Sequence, residues 1–110
     1  MSGKYIKQKA RSARLEVMHF WRGVRIPSRI VENVYGSGNF DDAGDELIAT
    51  LRRVSGYPPD QYRYRFDFDS THQNPWYHTF IFEIQDIPDA IYEQFISQIA
   101  ILGLLENQST

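Results

Sequence analysis

Strict alternation of aromatic and charged residues makes the stretch QYRYRFDFD, residues 61–69, the clearest element of the chain. Aromatic side chains occupy every second position, and arginine or aspartate fills the positions between them. A period of two is typical of a β-strand with one face in the core and the other in solvent. Residues 77–85 form a second candidate strand with Phe80, Phe82 and Ile84 on one face, and an Asn-Pro pair in the connecting segment is a turn signal. The sequence therefore predicts an antiparallel β-hairpin from about 61–69 and 77–85.

Burial of the aromatic face fixes the parity of this hairpin, because a slip of one residue exchanges the two faces of a strand. We predict that Asp69 lies opposite Tyr77 and Asp67 opposite Thr79. The phenylalanines of the two strands are then expected to be largely buried, with the hairpin at the centre of the core: Phe66, Phe68, Phe80 and Phe82.

Apolar residues also recur every three to four positions near the N-terminus, as in an amphipathic helix. This spacing predicts a helix over residues 5–22, and a strand over residues 15–22 is the alternative interpretation. A short helix is expected from Pro27 to about Tyr35, because proline suits a first turn and the glycine that follows suits a helix end.

Two further helices are predicted from the same spacing. The first is capped by Asn39 or Asp41 and runs to about Val54, with acids at its start and arginines at its end, as the helix dipole favours. The second is amphipathic and runs from Pro88 to about Leu102. Its apolar side is wide enough to close the core against the hairpin or to contribute to a subunit interface.

These elements define an α+β fold in which N-terminal helices precede an antiparallel hairpin and a C-terminal amphipathic helix. The composition, 42% hydrophobic and 15% aromatic, is sufficient for a real core. At 110 residues the chain has the length of one domain. We predict a single domain over residues 1–110, in which residues 1–14 form a basic arm whose composition is compatible with flexibility.

Charge is distributed unevenly along the chain. Residues 1–29 carry eight lysines or arginines and one acid, a net charge of +7, whereas residues 30–110 carry four against thirteen acids, a net charge of −9. The stretch SGKYIKQKARSAR, residues 2–14, holds five basic residues and no acid. Such a division favours an acidic partner for the basic end, which is either nucleic acid or an acidic protein surface, the protein's own included.

Seven basic residues are therefore the candidate partner-binding residues: Lys4, Lys7, Lys9, Arg11, Arg14, Arg22 and Arg25. Complementary charge in two parts of one chain suits assembly with further copies. We predict a non-enzymatic protein-interaction or assembly module that binds a protein partner or itself as a homo-oligomer. The alternative is a small nucleic-acid-binding regulator whose N-terminal segment contacts phosphates.

One cluster has the residue types of a metal or catalytic site: Asp67, Asp69, His72, His78 and Glu83. Carboxylate oxygens and imidazole nitrogens are ligands for divalent cations. The parity of the hairpin, however, places His78 on the aromatic face, and Glu83 lies about 20 Å from Asp69 along the strands. We therefore predict no metal site and no catalytic residue here.

The segment YGSGN before the second predicted helix resembles a phosphate-binding loop in its glycine content. The helix then begins with Asp41 and Asp42, whose carboxylates repel phosphate from the positive end of the helix dipole. The glycines are better explained as a helix end and a turn, and no cofactor is predicted.

The chain contains no cysteine, which excludes disulfides, thiolate metal sites and cysteine nucleophiles. No apolar run has the length of a signal peptide core or a membrane span. We expect a cytoplasmic protein that makes no contact with membranes.

Overall fold

The computed structural model describes residues 18–56 and 61–106. Within these ranges the chain forms a small α+β domain with one antiparallel sheet and three helices. The elements in chain order are β1 (Trp21–Pro27), α1 (Ser28–Tyr35), α2 (Phe40–Ser55), β2 (Tyr64–Asp69), a one-turn 3-10 helix (Pro75–Tyr77), β3 (Thr79–Gln85) and α3 (Asp89–Ile101). The predicted fold class is confirmed.

The last strand, β3, lies at the centre of the sheet, because the strand order is β1-β3-β2. Both neighbours run antiparallel to β3, with Val24 of β1 and Phe66 of β2 on either side of Phe82. Alternate residues of β3 point to the helices, and Phe82 and Ile84 are completely buried among them. A central strand has neighbours on both edges, which explains why β3 carries more of the core than either other strand.

The three helices complete the core on this face of the sheet. The apolar stripe of α2 is buried at Ala43, Leu47 and Leu51, as the 3.6-residue period requires. From α3, Phe95 and Ile99 are completely buried, and the ring of Phe95 lies 5.7 Å from that of Phe82. The short helix α1 adds Val31 to the same cluster.

The helix predicted over residues 5–22 is wrong at its C-terminal end. Residues 18–20 have no regular structure, and Trp21 begins β1, while the part of the prediction at 5–17 lies outside the described residues. The physical reason lies downstream, because Val24 and Ile26 pair with Phe82 and Phe80 on the apolar face of the sheet. Pairing with the edge of β3 determines this conformation, and local helical spacing does not.

The predicted hairpin register has the correct parity but is wrong by two residues. Asp69 lies opposite Thr79 rather than Tyr77, and Asp67 lies opposite Ile81 rather than Thr79. The reason is that Tyr77 belongs to the 3-10 turn, where its N–H donates to the Asn74 carbonyl at 3.0 Å. The connection is therefore longer than the sequence pattern indicates.

The prediction that all four phenylalanines are buried is confirmed for β3 and wrong for β2. Phe80 is 7% exposed and Phe82 is 0% exposed, whereas Phe66 and Phe68 are each 41% exposed. The difference arises because β2 is an edge strand, so nothing in the described structure covers the outer side of its aromatic rings.

Asp86 forms the turn between β3 and α3 and has a left-handed backbone, with φ of 53°. Its carboxylate accepts a hydrogen bond from the Phe20 N–H at 2.9 Å, and Nδ1 of His19 lies 2.7 Å from its other oxygen. The Phe20 hydrogen bond, followed by the His19 contact, holds the pKa of Asp86 below its usual value. The Asp86 carboxylate thus ties the segment before β1 to the turn after β3.

This arrangement predicts an acid-sensitive contribution to stability. Because the pKa of Asp86 is lower in the folded state, the contribution is complete above about pH 4 and is lost as the pH falls through the folded-state pKa. We expect Asp86→Asn, in which asparagine tolerates the positive φ, to lower the melting temperature at neutral pH but not at about pH 2. A difference between the two proteins that stays constant across this pH range would contradict the prediction.

Candidate protein-interaction site

An open groove of about 380 Å³ lies between the N-terminal half of α2 and the edge strand β2. We call it the α2–β2 groove. It is lined by Phe40, Asp41, Gly44, Asp45, Ile48, Phe66 and Phe80. The groove therefore combines an apolar floor with two carboxylates on one wall.

The helical period of α2 builds one wall of the groove. Asp41, Asp45 and Ile48 follow one another at intervals of four and three residues, which places them along one side of the helix. Gly44, between the acids, has no side chain, and a Cβ at this position would lie 3.3 Å from Cζ of Phe66. The missing side chain allows the helix to approach the ring of Phe66 closely.

Aromatic rings form the floor of the groove. The ring of Phe66 stacks on that of Phe80, with centroids 5.6 Å apart and planes inclined by 17°. The ring of Phe40 meets that of Phe68 edge to face at 5.3 Å. These contacts hold Phe66 and Phe68 in place although each is partly exposed to solvent. Exposed, fixed aromatic rings are enriched in protein interfaces.

The first two turns of α2 carry four carboxylates: Asp41, Asp42, Asp45 and Glu46. None of them forms an ion pair with any residue that the structure describes. Burial, and then the charges of Glu46 and Asp42, raise the pKa of the neighbouring Tyr35. The groove thus has a negative wall whose charge is not neutralised within the described residues.

The outer edge of β2 is unpaired within the described residues. The Gln85 N–H donates to the Arg63 carbonyl at 2.9 Å, which sets the alternation of the antiparallel ladder. By that alternation the backbone groups of Tyr64 and Phe66 point away from β3. The next outward N–H, that of Phe68, donates to the Asp67 carboxylate at 2.8 Å. Unpaired strand edges of this kind accept further strands.

Of the seven candidate partner-binding residues, the structure describes two, and both lie in β1. Arg22 pairs with Asp89, donates to the Ile87 carbonyl at 3.2 Å and lies over the ring of Tyr92. Arg25 pairs with Asp69 at 3.1 Å. Both arginines therefore contact acids of their own domain, Arg22 at the start of α3 and Arg25 at the end of β2. The others, Lys4, Lys7, Lys9, Arg11 and Arg14, lie outside the described residues.

The residues considered for a metal site make contacts with other protein groups. Hydrogen bonds from Thr71, with a smaller contribution from Arg25, hold the pKa of Asp69 below its usual value. Nε2 of His78 lies 2.8 Å from the carbonyl of His72, and Glu83 accepts a hydrogen bond from Arg65. No group of three His, Asp or Glu side chains within residues 18–56 and 61–106 has the arrangement of a metal site.

The acids of α2 are evident in the sequence, whereas the groove beside them is not. Phe40 and Ile48 lie outside the core stripe of the helix, and a second apolar side of this kind was a signal of a further contact surface. Gly44 in the interior of a helix was a second signal, since glycine costs helix stability unless close packing requires it.

Comparison with known proteins adds no functional information. Neither a scan against models of protein families nor searches of curated proteins and of solved structures found a match to this chain. In the part of the chain that the structure describes, no helix is sufficiently long and apolar to cross a membrane. The functional proposal therefore depends on the α2–β2 groove and on the distribution of charge.

Proposed function

We propose that this chain is a non-enzymatic assembly module that binds further copies of itself through oppositely charged surfaces. In this proposal the basic stretch, residues 2–14 of one copy, binds the α2–β2 groove of another. The observation that carries the proposal is an exposed aromatic groove bordered by carboxylates that have no ion-pair partner among the described residues.

The two surfaces are opposite in charge and similar in the number of charged groups. The basic stretch carries five cations and no acid, and the start of α2 carries four carboxylates within two turns. Charge complementarity steers association and excludes partners with the wrong charge. The apolar floor then supplies the desolvated centre that a charged rim alone lacks.

Nucleic acid fits these surfaces less well. The α2–β2 groove repels phosphate, and the two described candidate arginines are already held by Asp89 and Asp69. A nucleic-acid function would leave the exposed rings of Phe66 and Phe68 without a role. It would depend on the basic stretch alone.

Light scattering after size-exclusion chromatography tests the proposal on the full chain. We expect a mass above that of the 12.9 kDa monomer at low salt and a smaller mass at high salt, because salt screens exposed charges. The double variant Asp41→Asn/Asp45→Asn should reduce the low-salt mass. The control Glu32→Gln/Glu93→Gln removes the same charge from exposed positions on other helices and should not.

Deletion of residues 1–14 should have the same effect as neutralising the groove, and circular dichroism verifies that the domain stays folded. A full-length protein that is monomeric at every salt concentration contradicts self-assembly. If that monomer binds nucleic acid with a steep salt dependence, the regulator interpretation replaces the assembly interpretation.

A further inference from the structure

We infer that the occupant of the α2–β2 groove is residues 4–11 of a second copy, added to the free edge of β2 as a further antiparallel or parallel strand. This inference rests on the proposed function and specifies how the basic stretch is held. Addition of an extended segment to a sheet edge combines backbone hydrogen bonds with side-chain pockets.

Backbone geometry supports strand addition at this edge. The N–H and C=O groups of Tyr64 and Phe66 point outward and have no partner strand among the described residues. The same two residues place this edge beside α2, since Phe66 lines the groove and Tyr64 lines a neighbouring pocket together with Ile48. A strand added here would satisfy these backbone groups and would lie along the wall that carries Asp41 and Asp45.

The sequence of the basic stretch suits this position. In KYIKQKAR, residues 4–11, every second residue from Tyr5 onward is aromatic or basic: Tyr5, Lys7, Lys9 and Arg11. An extended segment therefore places one aromatic ring and three cations on a single face. Such a face is complementary to an aromatic floor with an acidic wall.

The spacing of the acids along α2 also agrees with the spacing of the lysines along an extended basic stretch. Asp41 and Asp45 are four residues apart on a helix, which corresponds to a rise of about 6 Å. Lys7 and Lys9 are two residues apart, which corresponds to about 6.6 Å in a strand. Two successive cations of one face can thus meet two successive carboxylates of the helix.

The place where the described chain begins favours a second copy as the source of this strand. Residues 18–20 lead into β1, which is the edge of the sheet opposite to β2. Phe20 is fixed there by hydrogen bonds with Asp86. A segment of the same copy would therefore have to cross the sheet to reach the groove, whereas a segment of a second copy would not.

Disulfide scanning tests the inference, because the chain contains no cysteine of its own. One tagged copy carries a single cysteine at each position from 4 to 11 in turn, and an untagged copy carries Asp45→Cys. Mixed copies are oxidised, and the disulfide-linked pair is measured on a non-reducing gel. Ile48→Cys in place of Asp45→Cys leaves both groove carboxylates intact, and Glu93→Cys on α3 is the control.

We expect cross-linking with both groove cysteines to alternate along the scan, strong at 5, 7, 9 and 11 and weak at 4, 6, 8 and 10. The Glu93→Cys control should show no such alternation. Cross-linking that varies with a period of three to four residues, or with no period, overturns strand addition. If the mass of that protein still falls as salt is added, the proposed function stands.

Two other outcomes also decide the question. A monomer at every salt concentration that forms no cross-links rejects the proposed function together with the inference. A double variant Lys7→Cys/Asp45→Cys that closes its disulfide only within one chain places the strand on the edge of its own copy and overturns the second copy as the occupant.

Discussion

Replacement of Phe82 by alanine is expected to lower the free energy of unfolding by about 3–5 kcal/mol. Phe82 is completely buried in the central strand, and its ring lies 5.0 Å from that of Phe66 and 5.7 Å from that of Phe95. The alanine variant loses the transfer free energy of the ring. It also leaves a cavity between the sheet and α3, which the surrounding side chains fill only in part. Urea unfolding, followed by circular dichroism, measures the loss.

Phe68→Ala is the matched control for this substitution. Phe68 has the same side chain on the same face of the sheet, but it lies in the edge strand and is 41% exposed. We expect it to cost less than about 2 kcal/mol, because much of its surface already contacts water and solvent can enter the space left behind. Equal losses for Phe68→Ala and Phe82→Ala would show that the aromatic face of β2 is covered in solution.

The sequence predicted the hairpin well because its signal is local and redundant. Every aromatic residue in 62–68 faces the helices in the structure, and any slip of one residue would have buried arginine and aspartate. The two helices after β1 were also predicted closely, since Pro27, Gly36 and Gly56 mark their ends. Local chemistry determines these elements with little help from the rest of the chain.

The strand β1 is not predicted by its local sequence, because its conformation depends on a distant partner. Val24 and Ile26 lie beside Phe82 and Phe80, more than fifty residues further along the chain. Read alone, the apolar residues before Pro27 fit a helical period as well as an alternating one. Pairing with the edge of β3 selects the extended conformation over the helical one. No sequence pattern near β1 indicates that this edge is available.

The α2–β2 groove was not predictable for a similar reason. Its wall and its floor come from elements separated in sequence, and the position of α2 over β2 depends on the order of the strands. The sequence shows the charges of the wall as acids at the start of a helix. The helix dipole is sufficient to explain acids at that position, so they do not by themselves indicate a binding surface. Their proximity to the exposed ring of Phe66 is what makes them a candidate surface.

Gly23 is the residue of β1 whose replacement reports most directly on the pairing with β3. It lies opposite Glu83, and a Cβ at this position would be 1.8 Å from the backbone oxygen of Phe82 and 2.8 Å from Cα of Glu83. These are backbone atoms of the central strand, so they cannot rotate away as a side chain does. The Gly23 carbonyl also accepts a hydrogen bond from the hydroxyl of Tyr92 at 2.7 Å, which connects α3 to β1 at this residue.

We expect Gly23→Ala to destabilise the protein by about 3 kcal/mol or more, because the added methyl group forces β1 away from β3 and strains the contacts of both strands. Gly44→Ala is the control, since its methyl group would meet side-chain rather than backbone atoms: Cζ and Cε1 of Phe66 at 3.3 and 3.5 Å, and Cζ of Phe80 at 3.9 Å. A displacement of the partly exposed Phe66 ring by a few tenths of an ångström relieves the closest of these contacts. Alanine also favours the helix over glycine by about 0.5–1 kcal/mol, so Gly44→Ala should be nearly neutral or stabilising. Urea unfolding of both variants measures the difference. A Gly23→Ala protein as stable as the wild type would mean that β1 does not pair with β3 in this register.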